Sequence, residues 1–376
     1  MRDPKAAERF ALKQSQAFVD QMEGFALELE DELMNFSDVS YKSFVKSESE
    51  IITLFYDKFA DIPLLSRMDA VAETFIDEIE TLLNRDLPEE ERIPLIEKFR
   101  KMYETMDFYV LYNRFLKKEG YQTLPRRPLE KRKLRYEDVY PVLYLKYRLS
   151  RQAERSNIKH LVIDEMQDYS RLQYLIIRRM FSCKMTILGD RAQTMADQQQ
   201  DVLQFLPGIF GKDLRRIEMR KSYRNTVEIA SYAANLIGVT DLELFERHGM
   251  PVLERNVTDL EAALREAVDT LFPDEKTYET AAVIVPDEKT AERAYLILRE
   301  ILAEKDFDCE KRLSWLNRDS SSFKKGLTVT TFYLAKGLEF DQVFSIFPKD
   351  EKREMMMQAQ YIAATRALHE LRVYHI

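Results

Sequence analysis

Two rhythms of apolar residues divide the chain. Up to about residue 115 they repeat at helical spacing. Phe18, Met22, Phe25 and Leu29 mark one such face, and Met68, Val71, Phe75, Ile79 and Leu82 mark a second. Glycine is nearly absent there, so long uninterrupted helices are predicted, with NRDLPEEERIP at 84–94 as a turn between two of them. From about residue 139 the apolar residues gather instead into short runs: HLVID (160–164), MTILGD (185–190), LRRIEM (214–219), TAAVIV (280–285), LTVTTF (327–332), QVFSIF (342–347) and LRVYHI (371–376). Helical patterns lie between most of them, as at 225–238 and 355–368. Strands alternating with helices predict an α/β fold, a parallel sheet with helices on its faces, whose ligands sit at the carboxyl ends of the strands.

Composition narrows this reading. With 376 residues the chain has room for two to three domains, and 45% hydrophobic with 32% charged residues describes a soluble globular protein. The net charge of −8 argues against a generic basic nucleic-acid coat, though it leaves room for a local basic groove. Such a locality exists at 116–138, where Lys117, Lys118, Arg126, Arg127, Lys131, Arg132, Lys133 and Arg135 surround Pro125 and Pro128. It reads either as a solvated linker or as a contact to phosphate backbone or an acidic partner. Two cysteines, Cys183 and Cys309, form no disulfide or zinc pattern, and the four histidines are scattered. The charged N-terminus has no signal core, and no apolar run approaches membrane-helix length. A cytoplasmic monomer with no membrane partner is expected.

The chemistry is concentrated in five short strings. In LVIDEMQDYS (161–170) a buried strand exits into Asp164 and Glu165, with Gln167 and Asp168 close behind. Adjacent carboxylates repel each other, and a divalent cation such as Mg²⁺ relieves the conflict. The second acid can then orient or deprotonate a water. The alternative is a strand followed by an acidic N-cap, in which Asp168, Tyr169 and Ser170 simply start the following helix. LGDRAQ (188–193) brings Asp190 and Gln193 to a second strand end. RKSYRN (220–225) opens a helix with Tyr223, able to stack on a base, and Arg224, able to reach phosphate. TTFYLAKGLEFD (330–341) follows a strand, with Gly337 allowing a tight turn between Lys336 and Glu339. YIAATRAL (361–368) places Arg366 on a predicted helix.

Taken in order, DExQD, GDxxQ, SYRN, T-x5-KGLEFD and Y-x3-TRA resemble the later motifs of superfamily 1 helicases of the UvrD/Rep type, over roughly residues 139–376. The resemblance implies RecA-like, P-loop NTPase-like parallel sheets. An incomplete first motor domain would span 139–212 and a complete second one 213–376, after a large all-helical insertion at 1–138 that ends in the basic linker. It implies ATP and Mg²⁺ as ligands, with Asp164 serving the metal beside Glu165, the water-activating base. Gln193 would couple phosphate state to movement. Arg224 would contact the terminal phosphate, and Arg366 would act as an arginine finger. Gln167, Asp190, Tyr223, Lys336, Gly337 and Glu339 would line the nucleotide. Thr331, Tyr333 and Thr365 would couple it to nucleic acid.

The departures from the family pattern are equally specific. No G-x-x-x-x-G-K-[ST] loop occurs, and the nearest string, GIFGKD (208–213), has the wrong spacing. The chain is therefore expected to be the C-terminal part of a longer motor and inactive as an ATPase by itself. Only residues 226–335 separate SYRN from KGLEFD, too few for the large helical subdomain of UvrD and Rep, and Tyr333 stands where the family usually has histidine. These traits look like the helicase IV / HelD-type branch, which includes factors that free RNA polymerase from nucleic acid. Three functions follow as expectations: remodelling of RNA polymerase–nucleic-acid complexes, translocation on single-stranded DNA as a conventional helicase, or a non-enzymatic binding module that keeps the motor fold.

Overall fold

The computed structural model describes residues 4–151, 157–190, 193, 202–219, 221–239, 243–272, 278–305, 307–320, 325–349 and 354–376. It divides into two compact units, Met1–Gly189 with Gln198–Leu214, and Asp190–Asp197 with Arg215–Ile376.

The first unit begins with α1 (Pro4–Gln14) and α2 (Gln16–Glu32), followed by an antiparallel hairpin of β1 (Val39–Tyr41) and β2 (Phe44–Lys46). Then come α3 (Glu48–Thr53), α4 (Arg67–Leu83), α5 (Glu89–Arg100), α6 (Phe108–Lys118) and α7 (Tyr136–Leu149). The hairpin is a correction to the all-helical expectation. The predicted turn at 84–94 is shorter than expected, because Asn84 ends α4 in the left-handed conformation and α5 already starts at Glu89. Both apolar faces predicted from spacing point inward. Phe18, Met22, Phe25 and Leu29 of α2 and Met68, Val71, Phe75 and Ile79 of α4 are buried in one core, whereas Leu82 lies exposed at the end of α4. Phe18 meets Phe115 edge-to-face at 5.2 Å, a geometry worth about 0.5–1.5 kcal/mol beyond area burial. Helix α1 docks on α7 through polar contacts: Lys13 pairs with the fully buried Asp138, whose Oδ1 also accepts from the Tyr112 hydroxyl at 2.8 Å, and Arg9 pairs with Glu137. The unit closes with β3 (His160–Ile163), α8 (Arg171–Met180), β4 (Lys184–Ile187) and α9 (Val202–Phe210). Strands β3 and β4 pair in parallel, and Ile163, Tyr174, Val202, Phe205 and Leu206 pack together beside them.

The second unit holds β5 (Lys221–Ser222), α10 (Val227–Ile237), β6 (Glu243–Leu244), β7 (Leu253–Asn256), α11 (Leu260–Asp269), β8 (Thr280–Val285) and α12 (Glu288–Ala303). It continues through α13 (Cys309–Arg312), β9 (Leu313–Trp315), β10 (Gly326–Thr331), β11 (Phe340–Phe347), α14 (Glu354–Ala364) and β12 (Ala367–His375). Six strands form one sheet in the order β7-β12-β11-β8-β10-β9, and every pairing is parallel. The two-residue period of a strand sends alternate side chains to opposite faces. Ala281, Val283 and Val285 of β8 join Phe344 and Ile346 of β11 under α11 and α12. Ala282 and Ile284 join Val343 and Phe347 under α10 and α14. Both faces are therefore dry, which is why these strands read as continuous apolar runs. Trp315 stacks on Tyr295 at 6.0 Å as a packing residue, and Met356 is buried while Met355 and Met357 are exposed.

Two sequence expectations fail here. LRRIEM (214–219) forms no strand: Ile217 is 73% and Met219 86% exposed, and a strand without a neighbour to accept its hydrogen bonds gains nothing from its propensity. Arg366 is not on a helix, because α14 ends at Ala364 and β12 begins at Ala367, leaving Thr365 and Arg366 in the turn.

Candidate functional site

In the first unit the acids stand at the carboxyl end of β3. The exits of β3 and β4 are stitched together: the Leu188 amide donates to the Ile163 carbonyl at 2.8 Å, and the Met166 amide donates to the Leu188 carbonyl at 2.8 Å. Glu165 takes the left-handed conformation, φ 53° and ψ 49°, and starts a tight turn over Met166–Asp168. Such a conformation costs a non-glycine residue free energy and persists only where the surroundings over-determine it. Here the Glu165 amide donates to Asp164 Oδ1 at 2.8 Å, and Gln167 Nε2 donates to Glu165 Oε2 at 2.6 Å. Gln167 is 1% exposed, so its amide is a fixed rather than a mobile partner. The Tyr174 hydroxyl donates to the Met166 carbonyl at 3.1 Å, and Ser170 caps α8 in a reciprocal capping box with Gln173. The cap on α8 is thus Ser170, one of the three residues expected to start that helix, and the acids Asp164 and Glu165 lie outside the cap. Gly189 is required by close approach: a Cβ there would lie 2.4 Å from Gln167 Oε1 and 2.6 Å from the Met166 nitrogen.

Within the second unit, Asp190 and Gln193 meet the turn after α14. Gln193 Nε2 and the Tyr361 hydroxyl both donate to Asp190 Oδ2 at 3.0 Å. Burial, then the charge of Asp190, pushes the Tyr361 hydroxyl pKa well up, so it stays a donor. Arg366 is 1% exposed; its Nη2 donates to Gln193 Oε1 at 3.3 Å and to Thr365 Oγ1 at 3.2 Å, and its Nη1 to the Leu338 carbonyl at 3.3 Å. Leu338 belongs to the KGLEFD turn, so one guanidinium reads two motifs. Tyr361 and Asn225 are the residues that sequence reasoning passed over. Asn225, buried, donates to the Ala367 carbonyl at 2.6 Å and the Thr365 carbonyl at 3.3 Å, tying SYRN to the Arg366 turn. Both lay inside quoted motifs, but spacing alone assigned them no partner.

The remaining site residues also belong to the second unit. Arg224 pairs with Glu339 at 2.6 Å, both partly exposed. Tyr223 is 59% exposed, packed at 5.5 Å on Phe245, with the Lys221 ammonium 5.6 Å above its ring. Gly337 holds φ 80°, the conformation its turn needs, between half-buried Lys336 and exposed Glu339. Thr331 ends β10 fully buried, its carbonyl accepting from the Ala335 amide at 2.9 Å. Its hydroxyl finds no hydrogen-bond partner among the described residues. Tyr333 lies under the Arg318 guanidinium at 6.0 Å. Asp341 serves the framework: its Oδ2 accepts from the amides of Glu279 and Thr280 at 2.8 and 2.9 Å, locking β11 to β8.

No cluster of three or more acidic, histidine or cysteine ligands occurs among the described residues. Mg²⁺ with a nucleotide needs less, because one or two carboxylates suffice when phosphate and water supply the other oxygens. Exposed Asp164 with its neighbour Glu165 fits that demand. Among the described residues no helix is long and apolar enough to cross a membrane.

A parallel sheet coated by helices on both faces, in a chain with many further helices, is consistent with a helicase motor fold. The UvrD/REP helicase N-terminal domain model matches residues 7–195, half of the chain, and the chain belongs to that family. Among solved structures it is similar to the C-terminal domain of a possible DNA helicase from Lactobacillus plantarum WCFS1, with 24% identity over 41% of this chain and 88% of that one, at a TM-score of 0.32. It is also similar to the PRRSV helicase (14% identity, 71% of this chain and 45% of that one, TM-score 0.33). A third is the Arterivirus nonstructural protein 10 helicase solved with DNA (13% identity, 71% and 51%, TM-score 0.30). The chain thus spans about half the length of those viral helicases. No curated protein matches it.

Proposed function

We propose that the chain is the water-activating and coupling part of an ATP-driven superfamily 1 motor acting on nucleic acid, with the phosphate loop supplied from outside this sequence. The observation that carries the reading is the acid turn: Glu165, at the carboxyl end of a parallel strand, is gripped by buried Gln167 at 2.6 Å. Glu165 accepts the proton of a water lined up on the terminal phosphate, and Gln167 holds its carboxylate in place. Asp164 would hold Mg²⁺, which would supply neutralising charge to the phosphate oxygens. Asp190, Gln193 and Arg366 form a linked chain that supports the coupling role of Gln193 and the phosphate-sensing role of Arg366. Arg224 and Tyr223 serve the phosphate and the base.

In the finer reading, the parent motor remodels a complex of nucleic acid with RNA polymerase rather than unwinding long duplexes. The described residues between SYRN and KGLEFD support it, because α10, α11, α12 and strands β6 to β10 build the sheet unit itself and form no separate helical body. The test is ATP turnover by the motor that includes a phosphate loop. Glu165→Gln lowers turnover by ~10²–10⁴-fold while ATP still binds, and Arg366→Ala lowers it by about 10³-fold. Parental turnover in both variants overturns the site assignment. Robust turnover by this chain alone, abolished by Glu165→Ala, overturns the need for an external phosphate loop. Polymerase pull-down against strand displacement on a long tailed duplex separates the two substrates; displacement without polymerase association leaves a conventional DNA helicase.

A further inference from the structure

We propose that the connection between α6 and α7, residues 119–135, is a binding surface for the phosphate backbone of nucleic acid. The inference rests on the reading of the chain as a nucleic-acid motor and adds a site that the motor motifs do not include. From Lys117 to Arg135 the sequence holds eight basic residues against Glu119 and Glu130, in a chain whose net charge is −8. The connection is pinned rather than loose. The Leu124 amide donates to Asn113 Oδ1 at 2.7 Å, Asn113 Nδ2 returns a bond to the Leu124 carbonyl at 3.3 Å, and the Tyr109 hydroxyl donates to the Pro125 carbonyl at 2.7 Å. Arg132 is the internal brace: it pairs with Asp107, lies 4.8 Å over the Tyr109 ring and donates to the Arg127 carbonyl at 3.0 Å.

That bracing leaves Arg126, Arg127, Lys131 and Lys133 exposed, with no acidic partner among the described residues. Nearby helices treat their cations differently: Arg92, Arg100 and Arg114 are each neutralised by carboxylates. Four like charges within residues 126–133 of a pinned connection repel one another, and their repulsion is relieved by a polyanion. A phosphate backbone asks only for charge and donors, with no shaped apolar pocket. Pro125 and Pro128 restrict the backbone in advance, so less ordering entropy is lost on binding.

The experiment is fluorescence anisotropy of a labelled mixed-sequence single strand with this chain across salt concentration. Each phosphate contact to a single strand contributes about 0.7 to the slope of log affinity against log salt. The combined Arg126→Ala, Arg127→Ala, Lys131→Ala and Lys133→Ala variant therefore loses about 3 from that slope and more than ~10-fold in affinity at low salt. Its melting curve stays that of the parent, because all four side chains are exposed. A control with Arg114→Ala and Arg265→Ala, both ion-paired, keeps the parental slope. An unchanged slope in the four-alanine variant, or no strand binding by the parent chain, overturns the proposal. So does loss of binding to polyglutamate with DNA binding intact, which identifies an acidic protein as the partner. Glu165→Gln keeps the slope. Lost turnover in Glu165→Gln together with an unchanged slope in the four-alanine variant removes the loop and keeps the motor; the opposite pattern keeps the loop and removes the motor assignment.

Discussion

Gly189→Ala tests whether the acid turn is held by close packing. An alanine Cβ would lie 2.6 Å from the Met166 nitrogen and 2.5 Å from Met166 Cγ, against 3.4–4 Å for ordinary contact. The Met166 side chain can turn away, but its backbone nitrogen cannot. It already donates to the Leu188 carbonyl at 2.8 Å, one residue from the substitution. Relief therefore means parting the two strand exits by about 1 Å, the shortfall between these contacts and ordinary packing. Overpacking costs roughly 1–3 kcal/mol, and weakening a buried hydrogen bond adds about 0.5–1.5 kcal/mol. The sum, about 1.5–4.5 kcal/mol, is read by urea unfolding followed by far-UV circular dichroism, with hydrogen exchange at the Met166 and Leu188 amides reporting the local opening. Gly24→Ala is the companion measurement in the same unit. It lies within α2 with open space around it, so it stabilises by up to about 1 kcal/mol. A Gly189→Ala change below ~0.5 kcal/mol, the usual size of a neutral surface substitution, refutes the close-packing argument.

Asp138→Ala strands Lys13 and the Tyr112 hydroxyl in the core between α1 and α7, and breaking such a buried pair costs about 3–5 kcal/mol in urea unfolding. Asn225→Ala leaves the Ala367 and Thr365 carbonyls without their donor, a loss of about 1–3 kcal/mol, seen through Trp315, the only tryptophan, which lies in the same unit. His248 and the Gly249 amide, both hydrogen-bonded to Glu228, hold its carboxyl down at about 2, below its ordinary 4.5. A depressed acid stabilises the fold above its unfolded pKa and loses that contribution as pH falls through the folded one. The second unit should therefore lose stability between about pH 4.5 and 2, less steeply in Glu228→Gln; identical acid profiles would refute the pairing.

The runs at 280–285, 327–332 and 342–347 were enough to announce a parallel sheet, because strands buried on both faces are mostly apolar along their length, with a few buried polar residues such as Thr328, Gln342 and Ser345 among them. The helix faces of α2 and α4 were legible for the corresponding reason, a period of 3.6 residues set by backbone geometry. The acid pair at the end of β3 and the glycine of KGLEFD were likewise visible as residue types that a strand exit or a tight turn demands. Pairing is different, because it depends on what comes from elsewhere in the chain. LRRIEM has the composition of a strand and pairs with no strand among the described residues; β1 and β2 are too short to show a period. The turn that carries Arg366 exists because β12 begins at Ala367, and its buried guanidinium gets its partners from Gln193 and Leu338, 173 and 28 residues away. Tyr361 and Asn225 gained their roles in the same way. A sequence states which side chains must leave water and where the backbone must turn; which polar group answers which is decided when distant segments meet.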